Sequence, residues 1–302
     1  MAEAVREYSS LKEALLAVYG KDAGVCQKSP VSGGDINRAY LLRACDGGIL
    51  FLKENAAENL DFFRKEAEGL QAIRQTGAIS VPEVKACGTD GADAFLLMEY
   101  LSEGSRSRDF FEDFGQRLAA MHAADTSAYI GDGNYGFLSD NYIGAGYQEN
   151  TPESRWTDFF IKRRLMLQIK RAERYFTTDE KTQIDRLLEK AADILTEPEK
   201  PALLHGDLWS GNYMTGPDGK AWLIDPAVYV GHPEADIAMT ELFGGYPAAF
   251  YDAYFEAAGK QPGYEDRRDL YNLYHLLNHL NLFGSAYHRA VMSVVRRYTG
   301  PG

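Results

Sequence analysis

The hydrophobic positions of this chain change their period part-way along, and the change divides it in two. Up to about residue 101 the apolar residues fall in short extended runs around a helical stretch. Ser10-Leu-Lys-Glu13 is a capping-box pattern ahead of Leu15, Leu16 and Val18, which predicts a short amphipathic helix. VSGGDINRAYLLR (31–43), the acidic turn Asp46-Gly47-Gly48 and the run ILFLK ending at Lys53 predict two strands joined by short turns. Leu60, Phe63, Ala67, Leu70 and Ile73 recur at helical spacing, and Gly77 supplies a stop. Val81-Pro82 and Val84 open another extended segment, and AFLLMEYL (94–101) reads as a buried strand. Strand, strand, helix, strand, strand describes a small α+β lobe with an antiparallel sheet.

Beyond Leu101, SEGSRSRD reads as a short polar linker. Most of the remaining chain has helical period. Phe110, Phe114, Leu118 and Met121 mark one helix, 156–175 and 182–195 two more, and helical text resumes at Glu234 and ends in a tract from 266 to 298. Gly131 to Gly146 is a long glycine-rich loop, and loops of that length inside a compact domain are functional or mobile. The expected architecture is an α+β, two-lobed fold, with a small lobe at 1–101 and a larger, mainly helical lobe at 102–302.

Composition narrows the function. The 302 residues are 45% hydrophobic and 25% charged, as in an ordinary soluble globular protein. A net charge of −12 argues against a nucleic-acid partner, because phosphate backbones select basic surfaces. Cys26, Cys45 and Cys87 have no metal-ligand spacing, and their odd number does not suggest a disulfide framework, so a reducing compartment is expected. MAEAVREYSS lacks a signal-type apolar core, and no apolar run approaches membrane-spanning length. The expectation is a cytoplasmic protein without a membrane partner.

The chemistry concentrates in LLHGDLWSGNYMTGPDGKAWLIDP (203–226), where Asp207, Asn212 and Asp225 stand at intervals of five and thirteen. Protein kinases use these intervals between a catalytic-loop Asp, its Asn and a metal-binding Asp. Asp218-Gly219 between Tyr213-Met214 and Trp222-Leu223-Ile224 is a hairpin signal that would hold Asn212 and Asp225 close enough to share Mg²⁺. Asp207 is then the candidate base for a substrate hydroxyl, with His205 stabilising its loop. Upstream, Ser32-Gly33-Gly34 would let backbone N–H groups approach phosphates. Lys53 closes an apolar strand, where a charge suits a cleft. Glu66 on the next helix would aim its ammonium at the α- and β-phosphates; Glu68 faces about 200° away, so only one of the two can look inward. The segment Met98-Glu99-Tyr100-Leu101 would read an adenine edge through its backbone, which places Glu99 and Leu101 in the ATP site.

HGDLWSGN followed by LIDPAVYVGHPEADIAM, LFGGY (242–246) and LYNLYHLLNHLNLFG (270–284) resembles the fructosamine kinase (ketosamine 3-kinase) family, which has an aminoglycoside-phosphotransferase-like, protein-kinase-like fold. The resemblance implies ATP- and Mg²⁺-dependent phosphorylation of the 3-hydroxyl of a fructosamine, ribulosamine or erythrulosamine adduct, a deglycation role. It makes Asp207 the base, Asn212 and Asp225 the metal ligands, and Lys53 with Glu66 the phosphate-orienting pair. Some members carry a cysteine in the Gly-rich loop, associated with redox-sensitive dimerisation; Asp35 stands there in this chain, so a switch through that loop is not expected. The chain is expected as a monomer or homodimer.

Trp209 can pack on a sugar face or attract a ligand cation, and His232 and His279 are placed with it on the substrate side. Asp236 is expected to tie the catalytic loop to its helix, and His122 to be structural. His275 and His279 have the spacing of zinc ligands but no third acid or thiol, so pocket lining or core packing is the stronger reading. The rival functions are an aminoglycoside, choline or homoserine kinase of the same fold, and a non-catalytic nucleotide-binding module. The module is disfavoured because Lys53, Asp207, Asn212 and Asp225 are all present.

Overall fold

The computed structural model describes residues 5–20, 24–31, 37–45, 47–131 and 134–300; Ser32, Gly33, Gly34, Asp35 and Asp46 lie outside the described residues. The chain forms two compact units. One comprises Met1–Phe114 and Asn212–Pro226, the other Gly115–Gly211 and Ala227–Gly302.

The first unit is built on six strands: β1 (Glu7–Tyr8), β2 (Val25–Pro30), β3 (Arg38–Ala44), β4 (Ile49–Ala56), β5 (Val84–Asp90) and β6 (Asp93–Glu99). They lie in the order β1-β5-β6-β4-β3-β2, antiparallel except for β1 alongside β5. Helix α1 (Leu11–Tyr19) starts where Ser10 Oγ accepts the Glu13 N–H, and packs Ala14 and Leu15 against Leu42, Leu50, Leu52, Phe95 and Leu97. Helix α2 (Leu60–Gln75) buries Phe63, Ala67, Leu70 and Ile73, the residues its sequence spacing selects.

Two strands have no signal in the sequence pattern. β1 is two residues long, and β2 is an exposed strand at one end of the sheet without apolar alternation. Its register, Val25 opposite Ala44, brings Cys26 to Cys45, and the two form a disulfide. This corrects the expectation from an odd cysteine count, in which the pair was hidden; Cys87 is the free, buried thiol.

The boundary also differs from residue 101. Gly104 N–H donates to Thr215 O at 3.2 Å, Ser107 N–H to Gly219 O at 3.0 Å, and the Arg106 guanidinium lies over the Phe110 ring at 4.8 Å. The predicted linker is therefore bound to the hairpin of β10 (Tyr213–Thr215) and β11 (Ala221–Leu223), and both belong to the first unit.

The second unit is mainly helical. After α3 (Phe110–His122), which runs from one unit into the other, the described part of the glycine-rich stretch carries the hairpin of β7 (Asn141–Ile143) and β8 (Gly146–Gln148). Asn141 and Gln148 side chains donate to the carbonyls of Val228 and Ala227. Helices α4 (Trp156–Phe159) and α5 (Leu167–Arg171) flank π-helical turns at Phe160–Met166, where fully buried Arg164 turns inward onto the Tyr229 ring, 4.0 Å away, and donates to Glu149 O and Asn150 Oδ1. α6 (Thr178–Ile194) begins at a capping box of Thr177 and Glu180. A short ladder pairs β9 (Ala202–Leu204) with β12 (Tyr229–Gly231). α7 (Glu234–Leu242), α8 (Ala248–Ala258), α9 (Tyr264–Phe283) and α10 (His288–Thr299) complete the unit. The predicted 266–298 tract breaks at Gly284, whose φ of 87° ends α9.

Candidate active site

In the first unit the pleat of β4 decides where Lys53 points. Leu50 and Leu52 face the core shared with α1, so Lys53 is turned to the opposite face. There its Nζ is 2.6 Å from Glu66 Oε1 and bonds Asp225 Oδ1 as well. Glu68 instead meets Lys65 at 3.1 Å on its own helix, so Glu66 is the glutamate turned toward Lys53. Burial works against the ammonium, but the charges of Asp225 and Glu66 more than offset it and hold the lysine pKa above its ordinary value. Burial, with Asp225 close by, pushes Glu66 upward in spite of Lys53. Two carboxylates thus share one ammonium.

Asp225 is 48% exposed at its side chain and carries a φ of 53°, the one positive φ outside glycine among the described residues. Such a backbone costs roughly 1–3 kcal/mol and persists where the surroundings impose it, commonly at functional sites. The Ile224 N–H donates to Asn212 O at 3.0 Å, which sets Asn212 beside the end of β11. One carboxylate, one amide and an excess negative charge fit Mg²⁺, which takes few protein ligands and leaves room for phosphate oxygens. No cluster of three His, Cys, Asp or Glu suited to a metal occurs among the described residues.

At the end of β6 the two positions expected beside the adenine, Glu99 and Leu101, differ. The Glu99 N–H is already donated to Glu83 O at 2.9 Å, and its carboxylate accepts from the Glu83 N–H. Leu101 makes no backbone hydrogen bond among the described residues, so its peptide groups are the available ones.

In the second unit, backbone bonds fix the loop that carries Asp207. Buried Asp236, on α7, accepts the His205 N–H at 2.7 Å and the Gly206 N–H at 2.9 Å. His122 Nε2 lies 3.2 Å from the same carboxylate, and its Nδ1 is 2.8 Å from the Tyr254 hydroxyl. Burial opposes ionisation of Asp236, but the bond and charge of His122, with His205 and the Gly206 N–H, hold its pKa below the usual carboxylate range. Gly206 has φ 82°, and a Cβ there would come 2.0 Å from Ala227 O, so only glycine allows this turn. The structural roles expected for Asp236, His122 and His205 are the ones observed.

Trp209 is 37% exposed and folds back over Gly211, where a Cβ would meet the indole at 2.4 Å. Its ring centroid is 6.2 Å from Phe243, and Phe243 is 5.0 Å from His279. His279 continues the strip to Phe283 and Tyr287 at 5.4 and 5.0 Å. His279 Nδ1 sits 2.8 Å from His275 O, an acceptor only, which makes Nδ1 the protonated nitrogen and leaves Nε2 a lone pair. Phe243 and Phe283 do not stand out in the sequence; their place in LFGGY and HLNLFG is the available signal. His232 falls elsewhere. It is 1% exposed and enclosed by Trp156 and Tyr271, 6.1 and 5.8 Å away, which makes it a core histidine rather than a substrate contact.

The class is that of the kinase-like phosphotransferases. An aminoglycoside phosphotransferase crystallised with ADP and hygromycin B has a TM-score of 0.64 to this chain, covering 97% of it and 100% of that chain at 20% identity, a likeness of fold alone. Within that class the chain belongs to the fructosamine kinase family, whose profile matches residues 8–300. A chloroplastic protein-ribulosamine 3-kinase of Oryza sativa subsp. indica is 40% identical, covering 92% of this chain and 80% of the relative. A crystal structure provisionally assigned as a fructosamine-3-kinase from Thermobifida fusca is 32% identical, with a TM-score of 0.81, covering 95% of this chain and 97% of that one. The family expected from HGDLWSGN and the text after Asp225 is thus the one found.

Proposed function

We propose that the protein transfers the γ-phosphoryl group of ATP to the 3-hydroxyl of a ketosamine, the sugar adduct left by glycation of an amine. The observation that carries this reading is an aromatic strip, Trp209–Phe243–His279, beginning two residues after a carboxylate whose loop is fixed by Asp236. Sugars and protonated amines both favour ring faces, at roughly 0.5–2 kcal/mol per contact.

Phosphoryl transfer asks mainly for positioning and charge neutralisation. Lys53, held by Glu66, meets the α- and β-phosphates, and Leu101 offers backbone groups to the adenine edge. Asn212 and Asp225 hold Mg²⁺, which when bound neutralises charge on the phosphate oxygens. Asp207 orients the substrate hydroxyl and accepts its proton as the new O–P bond forms and the bond to the ADP oxygen breaks. His279 Nε2 accepts a hydrogen bond from a second substrate hydroxyl or from the ammonium. Ser32, Gly33 and Gly34 keep the phosphate-cradling role their sequence suggests. ATP is an intracellular metabolite, so this reading requires an intracellular protein, and the cytoplasm is the compartment proposed.

The test is a coupled ADP-release assay with fructosyl-, ribulosyl- and erythrulosyl-amines against aminoglycosides, choline and homoserine, with NMR to locate the phosphate on O3. Turnover with aminoglycosides alone would overturn the reading.

A further inference from the structure

Two imidazoles of α9 lie one turn apart, and their Nδ1 atoms fare differently. His279 Nδ1 is bonded to His275 O at 2.8 Å. His275 is 4% exposed, and its own Nδ1 is buried with no hydrogen-bond partner among the described residues. Leaving a buried donor or acceptor unmade costs about 1–3 kcal/mol, so such an atom calls for an explanation. The Asp207 carboxylate lies nearby: His275 Nδ1 is 4.0 Å from Asp207 Oδ1. That is too long for a hydrogen bond, by about one ångström. Hydrogen bonds of catalytic groups are often long without substrate and tighten in the reacting complex.

We propose that His275 is a positioning residue for Asp207: its Nδ1–H closes onto one carboxylate oxygen and presents the other to the substrate hydroxyl. This rests on the reading that Asp207 receives the hydroxyl proton. Asp236, Arg164 and His279 also act on the ring electrostatically, but no acceptor of theirs bonds Nδ1. Burial holds the imidazole pKa down to about 3, so the ring donates while neutral. A neutral donor fixes the orientation of the carboxylate without cancelling the charge that makes it a base. α9 supplies rigidity, since residues 270–278 are buried along its length.

The decisive comparison is between His275→Leu and His275→Asn, because the Asn amide nitrogen takes nearly the place of Nδ1. Misplacement of a reacting group by an ångström costs about 100-fold in rate, and a loss of that order in kcat is expected for His275→Leu. KM for ATP and for the ketosamine should stay within about threefold, since the group acts on the base rather than on binding. His275→Asn should recover kcat to within about tenfold of wild type. An undiminished kcat in His275→Leu, an equal loss in both variants, or KM rising in step with the fall in kcat would each overturn the proposal. A second measurement needs neither turnover nor a stable Leu variant. In ¹⁵N spectra of the otherwise wild-type chain, Asp207→Ala should shift the His275 Nδ1–H resonance, and an unmoved resonance overturns the proposal. Failure of the proposed function would show differently, as absence of ketosamine turnover in the wild type with the spectral response intact.

Discussion

The cluster around Lys53 and the loop around Asp207 solve the same problem in opposite ways. In the first unit, Lys53, Glu66 and Asp225 are charged side chains turned on one another, with two anions to one cation. Such a group is held by charges that an incoming phosphate and cation can replace. In the second unit Asp207 is placed by its neighbours' backbone. The His205 and Gly206 N–H groups are fixed by buried Asp236, which His122 meets, itself bonded to the Tyr254 hydroxyl. The first arrangement can rearrange around ligand; the second is set before ligand arrives. Substitutions should therefore fail differently, and the largest effect is expected at Asp207, the proposed base. Asp207→Ala removes the proposed acceptor of the hydroxyl proton and should lower kcat by about 10²–10⁴-fold. Calorimetry should find ATP binding nearly unchanged, and retained turnover would take Asp207 out of its role.

Lys53→Met attacks the other half. Removing one preorganised charge from a phosphoryl-transfer site costs about 10²–10³-fold, expected here in kcat/KM for ATP. Because Asp225 is half exposed and burial already favours the protonated form of Glu66, the loss of the cation should lower thermal stability less than breaking a fully buried network would. A large fall in Tm with kcat/KM intact would reverse the distinction between the two units.

Asp236→Asn tests the second unit. It leaves His122 and two buried N–H groups poorly matched, and breaking one side of a buried charged network costs about 3–5 kcal/mol. Stability by urea titration and kcat should fall together, although Asp236 has no part in the chemistry. Loss of kcat alone would mean that the loop does not depend on its buried anchor.

The contrast also governs what the sequence could reveal. Lys53 was readable as a charge closing an apolar strand, Asn212 and Asp225 through their intervals from Asp207, and Glu66 because the i, i+2 geometry of a helix separated it from Glu68. Asp236 was readable as a helix-opening acid, but its two backbone partners were not, since bonds from N–H groups leave no mark on residue type. The Phe243 ring was hidden because an aromatic in an apolar stretch looks like core. His232 was misplaced for the converse reason: a histidine near an Asp expected to hold a metal suggests chemistry, and only packing shows it enclosed by Trp156 and Tyr271. The Cys26–Cys45 pair depends on the register of β2, a strand without a hydrophobic signal. It closes a loop with a sequence separation of 19, which the chain-entropy account values at about 3 kcal/mol. Cys26→Ser should lower Tm by several degrees with kcat unchanged, because the bond lies in neither the charge cluster nor the anchored loop.

The smallest expected effect is a change in how stability depends on pH, and it belongs to the buried side of the comparison. Burial first, then the positive charge of Arg267, pushes His232 down to about 3. The groups around it are the Glu234–Arg267 pair, bonded at 2.6 and 2.7 Å, His122, the Gln261 side chain, whose hydrogen bond works against the shift, and the rings of Trp156 and Tyr271. The unfolded chain takes up this proton near pH 6.5, whereas the folded protein resists until about pH 3. The folded pKa is depressed, so the stability is present above pH 6.5 and is lost as pH falls toward 3. His275, also held near 3, contributes a second slope of the same sign. His232→Phe removes one of the two, so its deficit relative to wild type should shrink by about 1.4 kcal/mol for each pH unit below 6. Urea titrations at pH 7, 6, 5 and 4.5 would show the two curves converging on the acid side. Parallel curves would mean that His232 is already protonated in the folded protein, and that its enclosure is less complete than the rings around it imply.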